Sequence, residues 1–330
     1  MLNSIKHNPV LLNEAVNALN IKDNGIYIDC TFGNGGHARM ILNRLSSKGQ
    51  LYAIDRDPQA IEASKCINDN DPRLTIIHGC FSRISSYMEE RQLIGRIDGI
   101  LLDLGLSSGQ INNADRGFSY WNDGPLDMRM DPTQSLSAAA WLFNATEHDI
   151  TVVLKNYGEE RFARRIARAI IKRRNNYPIT RTKELVEVIT SLCPKKFIKK
   201  HPARRSFQAI RIFINNEITE LRKGLEGSLK CLRSSGRLSV ISFHSLEDRL
   251  VKSFIRHQSR CCFVSDPNLY GYLIHEDRNS GIFFGSGGGL LKEIGKIKPS
   301  RMEIAMNHRA RSAILRSAER TEQVMISESR

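Results

Sequence analysis

Three aspartates stand where short apolar runs end: Asp29, Asp55 and Asp103. The first closes Ile26-Tyr27-Ile28 and leads into Thr31-Phe32-Gly33-Asn34-Gly35-Gly36-His37, a glycine turn that opens a helix. Glycines let backbone approach a ligand and tolerate positive φ, and a helix start offers free N–H groups. Asp55 ends the next apolar run, Leu51–Ile54, twenty residues after Gly35. A carboxylate one strand away from such a turn can accept both hydroxyls of a ribose. The combination describes a nucleotide-cofactor site, and the polar, acid-ended turn points to an adenosyl cofactor. The pattern Gly33-x-Gly35-x-x-Ala38 also fits the dinucleotide fingerprint, so an NAD oxidoreductase is the alternative. Against it stands Asp29, which can bond loop amides or an ammonium where a dinucleotide site runs apolar strand straight into glycine.

The third aspartate heads a second polar turn, Asp103-Leu104-Gly105-Leu106-Ser107-Ser108-Gly109-Gln110. Ligands of open α/β sheets bind beyond the carboxyl ends of the strands. Asp103 and this turn are therefore expected to face the reactive end of the cofactor. His244 follows a further apolar run, Gly236–Phe243, and is a candidate for guiding or receiving a proton; its plainer role is a structural histidine before a helix N-cap, Ser245-x-x-Asp248.

These residues need a sheet to hold them. Strands are predicted at 25–29, 50–54, 74–78 and 97–103, with helices over 37–45, 58–67 and 84–93 between them. Strand–helix alternation of this kind implies a parallel, Rossmann-like α/β sheet with helices on both faces. From about Asn113 to Arg205 the pattern is of loops and helices only. Thr146-Glu147-His148-Asp149 reads as a capping box, and Glu159–Arg174 and Thr182–Leu192 as amphipathic helices. Apolar residues from Phe207 to Leu229 recur three or four apart, predicting one long helix or two with a break near Gly224–Gly227. Strand character returns at 236–243 and near 312–318, while the glycine-rich stretch 277–299 reads as a flexible connection. The expected organisation is a discontinuous core, residues 1–112 and 206–330, carrying a helical insert at 113–205.

The chain has 330 residues and a net charge of +14. Between Thr151 and Arg211 there are 17 Lys/Arg against 4 Glu, so an excess of 13 positive charges falls in one span. A basic subregion beside a cofactor fold reads as a polyanion-binding surface, most simply for nucleic acid. Arg164, Arg165, Arg168, Arg173 and Arg174 are its candidate RNA contacts. No apolar run is long enough to span a bilayer and no signal core opens the chain. The seven cysteines form no C-x-x-C pair. A reducing cytoplasm is expected, with no membrane association. His257, Cys261, Cys262 and His275 match no standard metal spacing, so no metal is expected. The sequence leaves the oligomeric state open.

Eight motifs in order resemble one family: His7-x-Pro9-Val10-Leu11-Leu12-x-Glu14, the turn at 31–37, Ala53-Ile54-Asp55-Arg56-Asp57, the turn at 103–108, Arg116-Gly117-Phe118-Ser119, Gly124–Met130, Phe207–Arg211 and Ser242–Arg249. Together they resemble the small-subunit ribosomal RNA methyltransferase H family, RsmH or MraW, from residue 7 to about 258 and again from Arg309. The resemblance implies S-adenosylmethionine-dependent methylation of the exocyclic N4 of a cytidine in the decoding region of 16S rRNA, with the rRNA or the small ribosomal subunit as partner. It carries cofactor contacts onto Gly35, Gly36, His37, Asp55, Phe81, Asp103 and Gln110, with Phe81 placed to stack on adenine. The chain departs from the family at Asn34, commonly Arg, and at Gly109, commonly Pro.

Methylating C5 of a pyrimidine needs a cysteine nucleophile, and residues 103–110 contain none. Methylating an exocyclic amine needs its lone pair placed in line and acceptors for its hydrogens, for which Asp103, Ser107 and Ser108 are suited, with His244 as a further candidate. A base inside a helix cannot present that amine, so the target must be unpaired or flipped.

Overall fold

The structure is a computed structural model that describes residues 9–68, 71–192, 200–259 and 289–322. The apolar runs read above are buried on both faces: Ile100, Leu101 and Leu102 alternate in direction yet are all fully buried. Such runs suit the interior of a parallel sheet covered by helices on each side. Seven strands form that sheet: β1 (Ile26–Asp29), β2 (Gln50–Asp55), β3 (Leu74–His78), β4 (Ile97–Asp103), β5 (Leu232–Ser242), β6 (Leu291–Ile297) and β7 (Ile314–Arg320). Their order is β3-β2-β1-β4-β5-β7-β6. The first five are parallel, and β7 and β6 add antiparallel. The order turns back between β1 and β4, which opens the crevice where such folds bind ligands.

The helices are α1 (Leu12–Ala18), α2 (Gly36–Leu42), α3 (Pro58–Asn68), α4 (Ile84–Glu89), α5 (Ser108–Asn112), α6 (Ala138–Asn144), α7 (Glu147–Gly158), α8 (Ala163–Asn176), α9 (Thr182–Thr190), α10 (Arg204–Ile214), α11 (Glu217–Cys231), α12 (Ser245–Ser259) and α13 (Arg301–Met306). One face of the sheet packs on α11 and α12 through Leu221, Leu225, Val251 and Ile255. The other packs on α1 and α2 through Val16, Leu19, Ala38 and Ile41. A third apolar cluster joins α6 to α10, with Trp141, Leu154, Ile166, Ile170, Leu185 and Phe207 among its members.

Four expectations need correction. The long apolar repeat is indeed two helices, but it breaks at Asn215–Asn216, where Asn216 takes φ 52°. Asn215 is buried and pins the break by donating to Met128 O at 2.7 Å and accepting from Met130 N at 2.7 Å. Gly224 and Gly227 lie inside α11 instead; a Cβ on Gly224 would come within 2.5 Å of the Phe81 ring. The glycines there serve close packing, so the sequence signal for a break was a signal for a near approach. Second, α10 shares the insert's apolar cluster through Phe207, Ile210 and Ile214, so that core reaches past residue 205 to the Asn215 break. Third, part of the 277–299 connection is the strand β6, whose Lys292, Glu293 and Lys296 are exposed along an edge. Charged edge strands carry little apolar pattern. Fourth, Ser245 is the first residue of α12 and not its cap: His244 Nδ1 accepts from Glu247 N at 3.4 Å, and Asp248 pairs with Arg316 at 2.7 Å.

Candidate active site

The glycine turn is built by the two aspartates that flank it. Asp29 Oδ1 accepts from Thr31 N at 3.1 Å, and Asp55 accepts from Gly33 N at 2.7 Å and from Asp57 N at 2.9 Å. Gly33 and Gly35 take φ of +53° and +71°, which lets the chain turn and leaves Gly35 at the start of α2. Gly36 is needed for space, since a Cβ there would meet Pro9 Cγ at 2.1 Å. Thr31 Oγ1 then accepts from Asp103 N at 2.6 Å, tying the first turn to the second. The Asp55 carboxylate thus locks the turn first; each oxygen retains lone-pair capacity for a further donor.

A cavity of about 760 Å³ opens beyond these strand ends. Gly33, Gly36, His37, Asp55, Phe81, Asp103, Ser107, Ser108 and Gln110 line it, so the structure brings together nearly every residue expected at the cofactor site. Phe81 stands at its wall against Gly224. Gln110 is buried and works inward: its side chain accepts from Ser107 N at 3.0 Å and donates to Asp57 at 2.8 Å. Arg116 reaches the same Asp57 oxygen at 2.8 Å and also donates to Met130 O at 2.7 Å. Asp57 and Arg116 were not singled out from sequence, and together they tie the segment 116–130 to the cavity wall, which Met130 joins. Ser108 Oγ accepts from Arg309 at 2.6 Å, which brings the chain's C-terminal part to the second turn.

The electrostatics are those of a dry site. Burial pushes the Asp29 carboxyl up to about 7. Asp103 is raised well above the usual range, first by burial and then by Asp29 and Glu247. Burial lowers His37 to about 4, so its Nδ1, 3.7 Å from Asp103, is no cation at neutral pH. Among the described residues, Asp29 Oδ2, Asp103 Oδ1 and His37 Nε2 are buried with no hydrogen-bond partner. Buried polar atoms cost free energy unless bonded, so the unpartnered atoms of Asp103 and His37, which line the cavity, mark where a ligand bonds.

At the far wall Arg211 forks onto Glu217 with two bonds of 2.7 Å. Beside it Glu247 accepts from Phe243 N at 2.8 Å and lies 3.0 Å from His244 Nε2. Burial alone would raise Glu247, but His244 and Arg211 hold it below the usual carboxylate range. Sequence reasoning passed over Arg211, Glu217 and Glu247, although the first and last sit inside quoted motifs. His244 itself faces a separate hollow between core and insert, lined also by Tyr157, Arg205 and Arg249. Glu217, His244 and Glu247 bring three possible ligand atoms within 4.8 Å of one another, with Arg211 supplying positive charge there. Of the other metal candidates, Cys261, Cys262 and His275 lie outside the described residues, as do His7 and Lys195–Lys199 of the motif and basic loop.

The basic helix α8 divides its arginines. Arg164, Arg165 and Arg168 are exposed, two of them near Glu147 at 4.0 and 3.4 Å. Arg173 donates to Tyr177 O at 3.0 Å. Arg174 turns inward and donates to Ala145 O at 2.7 Å and to Leu142 O, closing the end of α6. Among the described residues no helix is long and apolar enough to cross a membrane.

A family model described as the MraW methylase family matches residues 4–321. Solved structures similar to this chain include an rRNA methylase from Streptococcus thermophilus, 12% identical, with 94% of each chain covered and a TM-score of 0.38. A protein from Streptococcus mutans assigned as a methyltransferase and solved in complex with SAH is 13% identical, covering 95% of this chain and 99% of that one, with a TM-score of 0.41. NSun6 from Pyrococcus horikoshii with SFG is also 13% identical, covering 98% of this chain and 56% of that one, at 0.43. Likenesses this distant add nothing to the family match. That match and the strand order together give the Rossmann-like methyltransferase fold expected from sequence, and they set aside the NAD oxidoreductase.

Proposed function

This chain belongs to the MraW methylase family, and we propose that it methylates the exocyclic N4 of a cytidine in the decoding region of 16S rRNA, using S-adenosylmethionine. The observation that carries the reading is the pair of buried, unpartnered atoms Asp103 Oδ1 and His37 Nε2, which line the cavity beside the glycine turn. These groups fit the cofactor's chemistry: carboxylates suit a cationic ammonium and sulfonium, and Asp55 keeps acceptor capacity for a ribose. Asp55, the turn amides and Phe81 would hold it, with Asp29 bracing the turn from behind, and the bound cofactor supplies an electrophilic methyl group.

The chain's own part is positioning. The half-buried Asp103 carboxylate accepts an amine hydrogen and orients the nitrogen lone pair, a placement that lowers a barrier by several kcal/mol. Its raised proton affinity also makes it a better proton acceptor than an exposed aspartate. A cation beside it favours the ionised form. Ser107 is half-buried at the lip of the same turn and offers a second acceptor, although its hydroxyl already caps α5. The insert, with the exposed face of α8, grips the rRNA or the small subunit in the cytoplasm.

Mass spectrometry of rRNA nucleosides from cells with and without the protein tests the reading. Loss of N4-methylated cytidine from 16S rRNA is the expected result; an unchanged nucleoside profile rejects it.

A further inference from the structure

Trp121 is 74% exposed while Trp141 is only 7% exposed. Tryptophan is highly buried on average, and this one is open yet held in place as the outer member of an aromatic cluster. The backbone under it is fixed: the N–H groups of Trp121 and Asn122 both donate to Ser119 Oγ, at 3.1 and 3.0 Å. The indole is also backed by rings. His201 meets it edge-on at 4.6 Å, and Tyr120 lies at 5.6 Å. Tyr120 in turn stacks on His201 at 4.8 Å with 24° between planes, and rests against buried Phe207 at 5.8 Å. An aromatic ladder therefore runs from the insert's core to a solvent-facing indole.

Its surroundings are basic. Lys200 and Arg205 are exposed beside His201, and Arg204 is half-buried. The carboxylate nearest in sequence, Asp123, is already matched by Arg181 at 2.8 Å. Position matters too. Phe207 and Arg211 are four residues apart on α10, so they lie on one face separated by one turn, about 6 Å. Arg211 lines the cofactor cavity, which places the foot of the ladder one helical turn from it.

We propose that Trp121, backed by Tyr120 and His201, is a stacking platform for an unpaired base of the RNA strand that delivers its target nucleotide to the cavity. The inference rests on the RNA substrate proposed above and adds where a neighbouring base lands. Every base offers a π face, so the platform holds a strand without reading its sequence, while the lysine and arginines beside it meet phosphates. A second copy of the chain is the other possible cover for an open indole, but the basic setting favours an anionic strand.

The test uses full-length protein with a short single-stranded RNA and the same RNA as a duplex. In a Trp141→Phe background Trp121 is the only tryptophan, and its emission is expected to be quenched by the single strand and little by the duplex. The difference between wild-type and Trp121→Phe titrations gives the same information without touching Trp141. Trp121→Ala and Trp121→Leu should weaken single-strand binding by about 5- to 100-fold. Trp121→Phe should restore most of that loss, and the salt slope should stay unchanged because no phosphate-binding group is removed. If wild type binds the strand while Trp121 emission and Trp121→Ala affinity stay unmoved, the platform is overturned and the rRNA reading stands. Emission that varies with protein concentration in the absence of RNA also overturns it, in favour of a second copy. A wild type that neither binds RNA nor methylates rRNA removes both.

Discussion

The cavity and the insert hold charge in opposite ways. At the strand ends Asp29 is fully buried and Asp103 half so, with its Oδ1 shut from water, and their ionisation is pushed far from its usual range. On α8 Arg164, Arg165 and Arg168 stand in water, and the carboxylate beside two of them, Glu147, is itself half-exposed. A desolvated charge interacts strongly over short distances, so its exact place matters and its loss is felt by chemistry. A solvated charge is screened within a Debye length and acts by number more than by place. On the function proposed above, one molecule separates two tasks: the sheet fixes a few groups for reaction, and the insert offers many for attachment.

That division of labour is most exposed to test at Asp103. Asp103→Asn keeps the shape and removes both the charge and the proton acceptor. A fall in kcat of about 10²- to 10⁴-fold is expected, with little change in RNA affinity. Single-turnover methyl transfer at saturating RNA measures it. Near-normal turnover would make Asp103 a cap for its turn and nothing more.

Asp29 tests the dryness of the cavity through pH. Its carboxyl moves from 3.8 to about 7 on folding. Between those values the unfolded chain gives up the proton while the folded chain keeps it. The stability tied to this group is therefore complete below the unfolded value and lost as pH rises towards 7. At 1.36 kcal/mol per unit the loss is on the order of 4 kcal/mol at most. Asp29→Asn should remove that slope, making the variant gain on wild type in urea midpoint from pH 4 to pH 7.5. Parallel curves for the two proteins would mean that Asp29 is hydrated.

Asp55 sits between the extremes, since it both holds the turn and faces the cavity. Asp55→Ala should weaken S-adenosylmethionine binding by about 1.5–3 kcal/mol, read by calorimetry. An unchanged affinity would show that Asp55 serves the amides of Gly33 and Asp57 alone.

The same contrast explains what could be read from the sequence. The sheet was legible because β1 to β4 are mainly apolar runs, and because each aspartate stands at a strand end where topology must place it. Positions whose partners are remote were not. Asp57 became meaningful only when Arg116 and Gln110, far along the chain, were found on its carboxylate. Glu247 needed His244 and Arg211 beside it, and the Asn215 break needed the carbonyl of Met128. Gly224 misled because glycine in a helix signals a break as readily as a close neighbour, here Phe81. Arg174 looked like the rest of its basic helix, and only the fold shows it closing α6.

Arg174 also decides how the insert is best tested. Including it in a charge-removal variant would free the carbonyls of Leu142 and Ala145, and any loss of RNA binding would be confounded by damage to α6. Arg164, Arg165 and Arg168 carry no such burden. Their partners are the solvated Glu147 and the face of Phe162, 5.5 Å from the Arg165 guanidinium. Exposed pairs of this kind contribute little to stability. Replacing the three by Gln should leave the unfolding midpoint and cofactor affinity where they are. RNA affinity should fall, and the slope of log K against log salt should flatten by about 0.7–0.9 for each phosphate the variant no longer neutralises. Methyl transfer at limiting RNA should drop with affinity, while transfer at saturating RNA should be nearly untouched, because the cavity has not been altered. A preserved salt slope would mean that this face of α8 meets only water. The attachment surface would then move to the other basic ground of the insert, around Lys200 and Arg205, on the side where Trp121 stands open.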